Sequence, residues 1–373
     1  MTNVERTAAL EVGDLATERR VVVCCGPGGV GKTTVSATFA LQAARAGRRA
    51  CVVTVDPARR LADSLGVESL PNTPALVEGD WPGQLFALML DTKGTFDDLI
   101  ARYAATDEQA QSIRSNRLYQ NLAGALSGTQ EYMAMEKLYE LTEEGAYDLV
   151  VVDTPPTRNA LDLLDAPRRL TRFLDNRLFR ALLLPTRVSM KALGVATQAM
   201  LRTISRVAGA EIVQDAVTFF QAFQGMEDGF RNRASAVRDL LADPATAYVV
   251  VTSPRPDALE EATYFAAKLA DTGITPAALV VNRVHPKFLR SRAPLPETHP
   301  GTTLGVLVDN LLQLEALADR EQTAYAELVT RVAPAPVGRV PLLRTDVHDL
   351  AGLGLVADNL FGPGPGSATS DVG

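Results

Sequence analysis

The chain has 373 residues, of which 46% are hydrophobic and 22% charged, and its formal net charge is −7. This composition predicts a well-packed folded protein, and the acidic balance argues against a sequence-wide affinity for nucleic acid or anionic membranes. The first residues lack the apolar core of a signal peptide, and no run approaches the roughly 20 apolar residues of a membrane span. We therefore expect a cytoplasmic protein without stable membrane insertion.

The first predicted strand, at 20–25, leads into a glycine-rich turn and then into a helix predicted over 33–46. The segment GPGGVGKTT at 26–34 matches G-x-x-x-x-G-K-[ST], the phosphate-binding P-loop, with a strand before it and a helix after it. Lys32 is expected on the β- and γ-phosphates of ATP, and the Thr33 hydroxyl on Mg²⁺. The nucleotide-binding residues expected from this motif are Gly28, Gly29, Val30, Gly31, Lys32, Thr33 and Thr34.

A second predicted strand, at 50–55, ends at Asp56, which is followed by Pro57. An aspartate before a proline is typical of a helix start, with the carboxylate as the N-cap. A carboxylate at a strand end beside a P-loop can also orient or deprotonate water. The spacing alone leaves both roles open for Asp56.

Five more short apolar strands are predicted, at 85–90, 147–152, 247–252, 277–281 and 339–342. Strands that are apolar on both faces and alternate with helices indicate an α/β fold, a mostly parallel P-loop NTPase sheet flanked by helices. The strand at 147–152 ends at Asp153, a Walker B pattern that typically reaches Mg²⁺, although ordinary strands of α/β proteins also end this way. Ligands bind at the carboxyl ends of such strands, where Gly26, Asp56 and Asp153 are expected.

Two stretches, at about 95–144 and 166–241, have helical periodicity without convincing strands and predict an inserted α-helical subdomain. The expected organisation is a flexible leader at 1–19, a single P-loop ATPase domain at 20–361 with these helical insertions, and a disordered tail at 362–373.

Two apolar faces at helical spacing lie in the second insertion. Such a face either forms a groove for a client helix or belongs to the subdomain's own core. The sequence favours the core, because seven methionines in 373 residues are no enrichment of the flexible side chains that line adaptable grooves. The first face comprises Phe219, Phe223, Met226 and Phe230, and the second Met190, Leu193, Met200, Leu201 and Ile204.

Several segments resemble motifs of one ATPase family. GGVGKTT at 28–34, DPARRLADS at 56–64 and DTPPTRNAL at 153–161 resemble the P-loop, switch I and switch II of the deviant-Walker ATPases, in the branch of the arsenite-pump and tail-anchored-protein targeting ATPases. VNR at 281–283 and VPLL at 340–343 resemble that branch's adenine-contacting motifs, and GTQEYMAMEK at 128–137 is similar to single-unit actinobacterial members. The resemblance covers about 20–355.

This resemblance implies roles for individual residues. Asp56 would activate the attacking water, Asp153 would hold Mg²⁺ through water, and Asn282 and Pro341 would contact adenine. The family works as nucleotide-sandwich dimers that open and close with hydrolysis and move their helical subdomains. The implied partners are a second copy or a paralogous ATPase, together with a protein client on the helical subdomain.

The chain departs from the family pattern at its P-loop and in its cysteines. The family's signature lysine, which crosses the dimer interface, aligns with Pro27, which carries no charge and no donor. The cysteines, Cys24, Cys25 and Cys51, lie in predicted buried strands, so neither a Cys-x-x-Cys zinc bridge nor a thiolate site for arsenite in the insertions can be built.

Three functions are compatible with these features. The first is a Mg-dependent ATPase whose ATP-driven dimer closure rearranges a helical subdomain that engages a protein. The second, suggested by Pro27, is an ATP-binding, weakly active regulatory subunit of a hetero-oligomeric ATPase. The third is a positioning ATPase that cycles on DNA or membrane, against which the acidic charge and the absence of a C-terminal basic amphipathic helix argue.

Overall fold

The computed structural model describes residues 11–55, 59–117, 119–120, 129–143, 145–155, 160–175, 215, 218–289, 299 and 301–362. Asp56, the tail from residue 363 onward and the second apolar face of the helical insertion lie outside these residues. Within the described parts, no helix is both long enough and apolar enough to cross a membrane.

The described strands form one eight-stranded sheet in the order β3-β4-β2-β5-β1-β6-β7-β8. All neighbouring strands are parallel except β3 and β4. The strands are β1 (Val21–Cys25), β2 (Arg49–Thr54), β3 (Ala75–Val77), β4 (Gln84–Met89), β5 (Leu149–Asp153), β6 (Thr246–Thr252), β7 (Ala278–Val284) and β8 (Val337–Pro341).

Some of the described helices connect these strands, and others lie in the stretches of the chain that contain no strands. They are α1 (Asp14–Glu18), α2 (Lys32–Arg45), α3 (Arg60–Leu65), α4 (Thr92–Tyr103), α5 (Asp107–Arg114), α6 (Thr129–Glu143), α7 (Ala160–Asp175), α8 (Glu227–Ala242), α9 (Pro256–Asp271), α10 (Thr303–Ala324), α11 (Ala326–Val332) and α12 (Leu350–Phe361).

The central strands explain why the sequence predicts this fold class correctly. Every residue of β1, β5 and β6 is buried, as expected when helices cover both faces of a parallel sheet. The expected mostly parallel α/β fold is confirmed. The antiparallel strand β3 at the sheet edge was not predicted, because three residues are too few for a periodic signal.

The N-terminal segment is more ordered than the sequence predicts. Residues 14–18, expected to belong to a flexible leader, form α1, and Leu15 and Ala16 are buried in the main hydrophobic cluster. The Arg48 guanidinium fixes the end of this helix by donating to the carbonyl oxygens of Ala16 (2.6 Å) and Arg19 (2.8 Å). The flexible-leader expectation therefore fails for residues 14–18.

The chain divides into two compact units. The first unit, called the sheet unit, comprises residues 1–89, 144–160 and 244–373 and contains the whole sheet. The second, called the helical unit, comprises residues 90–143 and 161–243 and contains the helices α4 to α8. Within the sheet unit, α2 packs against α12, where the Phe39 and Phe361 rings meet edge to face at 5.2 Å.

In the helical unit, the first apolar face is part of the core. Phe219, Phe223, Met226 and Phe230 are each at most 7% exposed, and the rings of Phe223 and Phe230 lie 4.9 Å apart. The face does not lie on one helix, because the chain turns at Gly225, with φ at 87°, before α8 begins. The core interpretation therefore holds for this face.

Candidate functional site

The glycine-rich turn between β1 and α2 can be formed only by glycine at two of its positions. Gly26 has φ 148°, and a Cβ atom there would lie 2.0 Å from the Val251 carbonyl oxygen of β6. Gly31 has φ 89°, and a Cβ atom there would lie 2.2 Å from Nδ2 of Asn282. The left-handed backbone at both positions, the Val251 carbonyl beside Gly26 and the Asn282 amide beside Gly31 therefore make a side chain costly there.

Lys32 is the first residue of α2 and is only 6% exposed. Its ammonium group donates hydrogen bonds to the carbonyl oxygens of Gly26 (3.1 Å) and Pro27 (2.8 Å). The buried cation is thus held against the glycine-rich turn, where phosphate oxygens bind in P-loop proteins.

Thr33 and Asp153 bring the start of α2 and the end of β5 together. The Thr33 hydroxyl donates to Oδ2 of Asp153 at 2.7 Å, and the Thr54 hydroxyl at the end of β2 donates to the same oxygen at 2.8 Å. Asp153 is 1% exposed, so its carboxylate is oriented by buried hydroxyl groups.

These residues fit the Mg²⁺ ion that a P-loop protein uses. The donor set, a hydroxyl and a carboxylate, consists of the hard oxygen ligands that Mg²⁺ prefers. No group of three or more His, Cys, Asp or Glu side chains among the described residues could hold a metal ion by itself. Mg²⁺ in phosphate-binding sites is usually held by one or two protein oxygens together with water and substrate phosphates.

Asn282 and Arg283, near the end of β7, contact the tip of the glycine-rich turn. Nδ2 of Asn282 donates to the Val30 carbonyl oxygen at 2.8 Å, and Nη1 of Arg283 donates to the Gly29 carbonyl oxygen at 3.3 Å. Asn282 is only 7% exposed and Arg283 is exposed. These side chains at the end of β7 therefore hold the backbone of the glycine-rich turn in place.

A cavity of about 440 Å³ lies above the carboxyl ends of these strands. This volume is in the range of small-molecule sites. The cavity is lined by the P-loop and the start of α2, by α3, by the ends of β7 and β8, and by the segment that follows β8. The lining residues include Gly29, Gly31, Lys32, Thr33, Thr34, Asn282, Arg283, Pro341, Leu342 and Leu343.

The structure brings most of the predicted nucleotide-binding residues to this cavity. Gly28 and Val30 belong to the same turn but do not line the cavity. Asp153 does not line it either, but its carboxylate accepts a hydrogen bond from Thr33, which does. Asp56, the predicted water-activating residue, lies outside the described residues. Arg283, which also lines the cavity, was not predicted as a site residue, although it directly follows Asn282 in the VNR segment at 281–283.

Pro27, which the resemblance aligns with the family's signature lysine, is buried. Its carbonyl oxygen accepts one of the two hydrogen bonds from Lys32. The residue therefore helps to hold the P-loop lysine, and its side chain carries no hydrogen-bond donor.

The three cysteines are buried, and none of them forms a disulfide. Burial raises the pKa of the Cys24 thiol to about 12 and the pKa of the Cys25 thiol well above its ordinary value. These thiols are therefore protonated at neutral pH and are poor ligands and nucleophiles.

A glycine-rich turn between a buried strand and a helix, a buried lysine on that turn and a threonine–aspartate contact at the sheet's carboxyl edge define a P-loop nucleotide-binding protein. The chain belongs to the anion-transporting ATPase family, whose model matches residues 19–294. The resemblance seen in the sequence motifs is thereby confirmed.

Similar proteins come from bacteria and fungi. An uncharacterized protein of Streptomyces coelicolor is 34% identical over 271 residues, which are 72% of this chain and 63% of the relative. The ATPase GET3 of Aspergillus terreus is 32% identical over 150 residues, and the ATPase GET3 of Chaetomium globosum is 31% identical over 149 residues. Each fungal match covers 40% of this chain and 43% of the relative. The chain thus aligns with less than two thirds of the length of each of these relatives.

Proposed function

We propose that the chain is a Mg-dependent ATPase that uses ATP-driven dimer closure to rearrange its helical unit, which engages a protein partner or client. The observation that supports ATP hydrolysis most strongly is the Thr33–Asp153 contact beside the buried Lys32. P-loop ATPases hold Mg²⁺ and the terminal phosphates with a lysine, a hydroxyl group and a carboxylate of this kind, which supports the proposal.

In this proposal each residue near the phosphates has a separate role. Lys32 exchanges its bonds to the Gly26 and Pro27 carbonyl oxygens for bonds to the β- and γ-phosphates. Thr33 contributes a hydroxyl ligand to Mg²⁺, and Asp153 orients that hydroxyl and holds the ion through water. The ion neutralises charge on the phosphates. Asp56 orients and activates the attacking water.

The base is proposed to bind at the β7 and β8 ends. Asn282 and Pro341 both line the cavity. The Asn282 amide already bonds Val30 and the backbone N–H of Arg283, and it retains one N–H and one oxygen lone pair for adenine. The adenine contacts proposed for Asn282 and Pro341 are therefore compatible with the hydrogen bonds that the amide already makes.

The chain itself provides the connection from the nucleotide site to the helical unit. Asp153 ends β5, and α7 of the helical unit begins at Ala160, so the proposed switch II segment leads directly into that unit. Movement of this segment on γ-phosphate release is the proposed origin of the rearrangement. The buried face that contains Phe219 and Phe230 is core, so a client surface must lie elsewhere on the unit.

Dimer closure is testable in solution with a hydrolysis-trapped Asp56→Asn variant. We expect light scattering to detect a dimer with ATP and Mg²⁺, either of this chain alone or with a paralogous ATPase. The same variant, used as bait, should retain the partner or client with ATP and release it with ADP. A chain that remains monomeric with ATP, both alone and with every co-purifying ATPase, would contradict dimer closure.

Pro27 supports a second candidate, an ATP-binding regulatory subunit with weak activity of its own. Without a charged residue at this position, one stabilising contact to the transition state is missing, and such a loss typically costs about 100-fold or more in rate. Robust ATPase activity of the purified chain would contradict this candidate. Low activity that a paralogous subunit raises strongly would favour it.

A third candidate is a positioning ATPase that cycles on DNA or membrane. The net charge of −7 argues against it. Sedimentation with anionic liposomes or with DNA, in the presence of ATP, is the direct test. We expect no ATP-dependent binding to the liposomes or to the DNA. The proposed location of the protein is the cytoplasm.

A further inference from the structure

A groove between α7 and α8 of the helical unit lies outside the nucleotide site. Its cavity has a volume of about 220 Å³ and is lined by residues of both helices. Two of the lining residues, Pro167 and Ala234, are buried, whereas Arg168, Arg172 and Arg238 are exposed. The groove therefore has an apolar floor and a rim of arginines.

The rim carries an excess of positive charge, although the whole chain has a net charge of −7. Asp175 is the one acidic residue among the described residues that line the cavity, and Nη2 of Arg231 donates to its carboxylate at 3.2 Å. Arg168 and Arg172 lie four positions apart on one face of α7, and Arg238 comes from α8. An anionic group in the groove thus meets cations from both helices.

Within the described parts of the chain, the arginines of the rim have weak ion-pair partners or none. Arg172 forms no ion pair there. Arg168 lies 3.7 Å from Asp165, and Arg238 lies 3.2 Å from Asp239, and all four side chains are well exposed. Exposed pairs of this kind contribute little free energy, because water screens their charges. An incoming carboxylate can therefore replace these contacts at little cost.

The size and lining of the groove favour a peptide segment as its occupant. The volume is smaller than the roughly 300 Å³ of the smallest typical small-molecule sites, but it is large enough for a few side chains. The planar guanidinium of arginine matches a carboxylate with two parallel hydrogen bonds. None of the described lining residues is aromatic or a leucine, the side chains that anchor membrane-surface helices or stack on nucleic-acid bases.

We propose that this groove binds an acidic segment of a protein partner, with carboxylates on the arginine rim and small apolar side chains on Pro167 and Ala234. The inference rests on the proposed function, in which the helical unit engages a protein, and adds the chemistry of that partner. The groove lies on α7, the helix into which the proposed switch II segment leads after Asp153.

The test uses a fluorescently labelled peptide of alternating glutamate and alanine, and a control peptide with glutamine in place of each glutamate. Fluorescence anisotropy measures both affinities on the full chain and on Arg172→Gln and Arg238→Gln, which each remove one charge of the rim. Arg331→Gln is the matched control, because Arg331 is about as exposed as Arg238 and pairs with Glu327 on α11. Circular dichroism checks that each variant is folded, and Mg-dependent phosphate release from ATP is measured without peptide.

We expect the unchanged chain and Arg331→Gln to bind the glutamate peptide and not the glutamine peptide. Arg172→Gln and Arg238→Gln should each lose about tenfold in affinity, because each removes a hydrogen bond between charged groups, and phosphate release should stay unchanged. Equal affinity of all four proteins, or no binding by the unchanged chain, would overturn the inference. Displacement of the peptide by phosphatidylglycerol vesicles would also overturn it, since the groove would then bind a membrane surface.

Phosphate release separates this inference from the proposed function. If the unchanged chain releases phosphate but does not bind the glutamate peptide, the inference about the groove fails and the proposed hydrolysis stands. If the chain binds the peptide through Arg172 and Arg238 but releases no phosphate, the proposed hydrolysis fails and the groove still binds acidic segments.

Discussion

The Thr33 hydroxyl donates a 2.7 Å hydrogen bond to the Asp153 carboxylate, which connects the first turn of α2 to the carboxyl end of β5. The Thr54 hydroxyl donates to the same carboxylate oxygen, so both hydroxyl groups are oriented by one buried charge. The fold thus places the two residues expected at Mg²⁺ in direct contact.

We predict that Asp153→Asn keeps the fold but lowers ATP hydrolysis by about 100-fold or more, because the amide oxygen can accept the threonine bonds while the negative charge is lost. Asp271→Asn is the control, since Asp271 is an exposed partner of Lys268 on α9. Phosphate release at increasing Mg²⁺ concentration measures the effect. Hydrolysis by Asp153→Asn at the rate of the unchanged chain would show that the carboxylate has no role in the reaction.

Gly31→Ala should prevent ATP binding and destabilise the fold more than Gly47→Ala does. The two glycines have similar φ values, 89° and 85°, so both substitutions incur about 1–2 kcal/mol of backbone strain. Only at Gly31 does the new Cβ meet a neighbour, Nδ2 of Asn282, whose bond to Val30 must then break. Urea unfolding of both variants measures the difference. Equal losses of stability would refute the proposed steric conflict.

In the helical unit, Arg233→Met should cost about 3–5 kcal/mol of stability, because it leaves a buried carboxylate without its partner. The Arg233 guanidinium lies 2.5 Å from Oε1 of Glu136, and both side chains are at most 5% exposed. The control Arg231→Met removes a more exposed arginine that pairs with Asp228 and Asp175, and should cost about 1 kcal/mol or less.

The stability loss of Arg233→Met should depend on pH. Burial raises the pKa of Glu136, and the positive charge of Arg233 opposes this shift. Without Arg233 the folded-state pKa rises further above its unfolded value, so ionisation of Glu136 opposes folding. The loss should therefore grow as the pH rises above the ordinary carboxyl range and shrink as the pH falls. Urea unfolding at several pH values measures this trend, and a loss independent of pH would contradict it.

The cysteines should not react with an aromatic disulfide reagent in the folded protein. All three are buried, and burial raises the pKa of Cys24 to about 12, so the reactive thiolate is scarce at neutral pH. We expect slow labelling under native conditions and rapid labelling of all three thiols in denaturant. Fast labelling of the native protein would contradict the buried positions of β1 and β2 cysteines.

The sequence predicts the sheet and the phosphate end of the site because their signals are local. The buried β-branched run before the P-loop predicts β1, and the motif itself predicts Lys32 and Thr33. The need for glycine at Gly26 has a different origin, since it depends on the Val251 carbonyl of β6, which is more than 200 positions away. Such a contact has no local sequence signal.

The helical insertion illustrates the same limit. Helical spacing places Phe219 and Phe230 on one face, but the turn at Gly225 separates their segments. Their burial comes from partners far away in the chain, because Phe219 stacks on Tyr119 and Phe230 packs against Phe96. Periodicity alone therefore could not decide between a groove and a core.

The most direct test of ATP hydrolysis at this site is Mg-dependent phosphate release from ATP by the purified chain and by Lys32→Ala. Lys32 is buried against the Gly26 and Pro27 carbonyl oxygens, so its loss removes the cation expected at the phosphates. Lys268→Ala, which removes an exposed lysine of α9, is the control. We predict Mg-dependent release by the unchanged chain and by the control, and release reduced to background by Lys32→Ala. Equal release by Lys32→Ala and the unchanged chain would contradict ATP hydrolysis at this site.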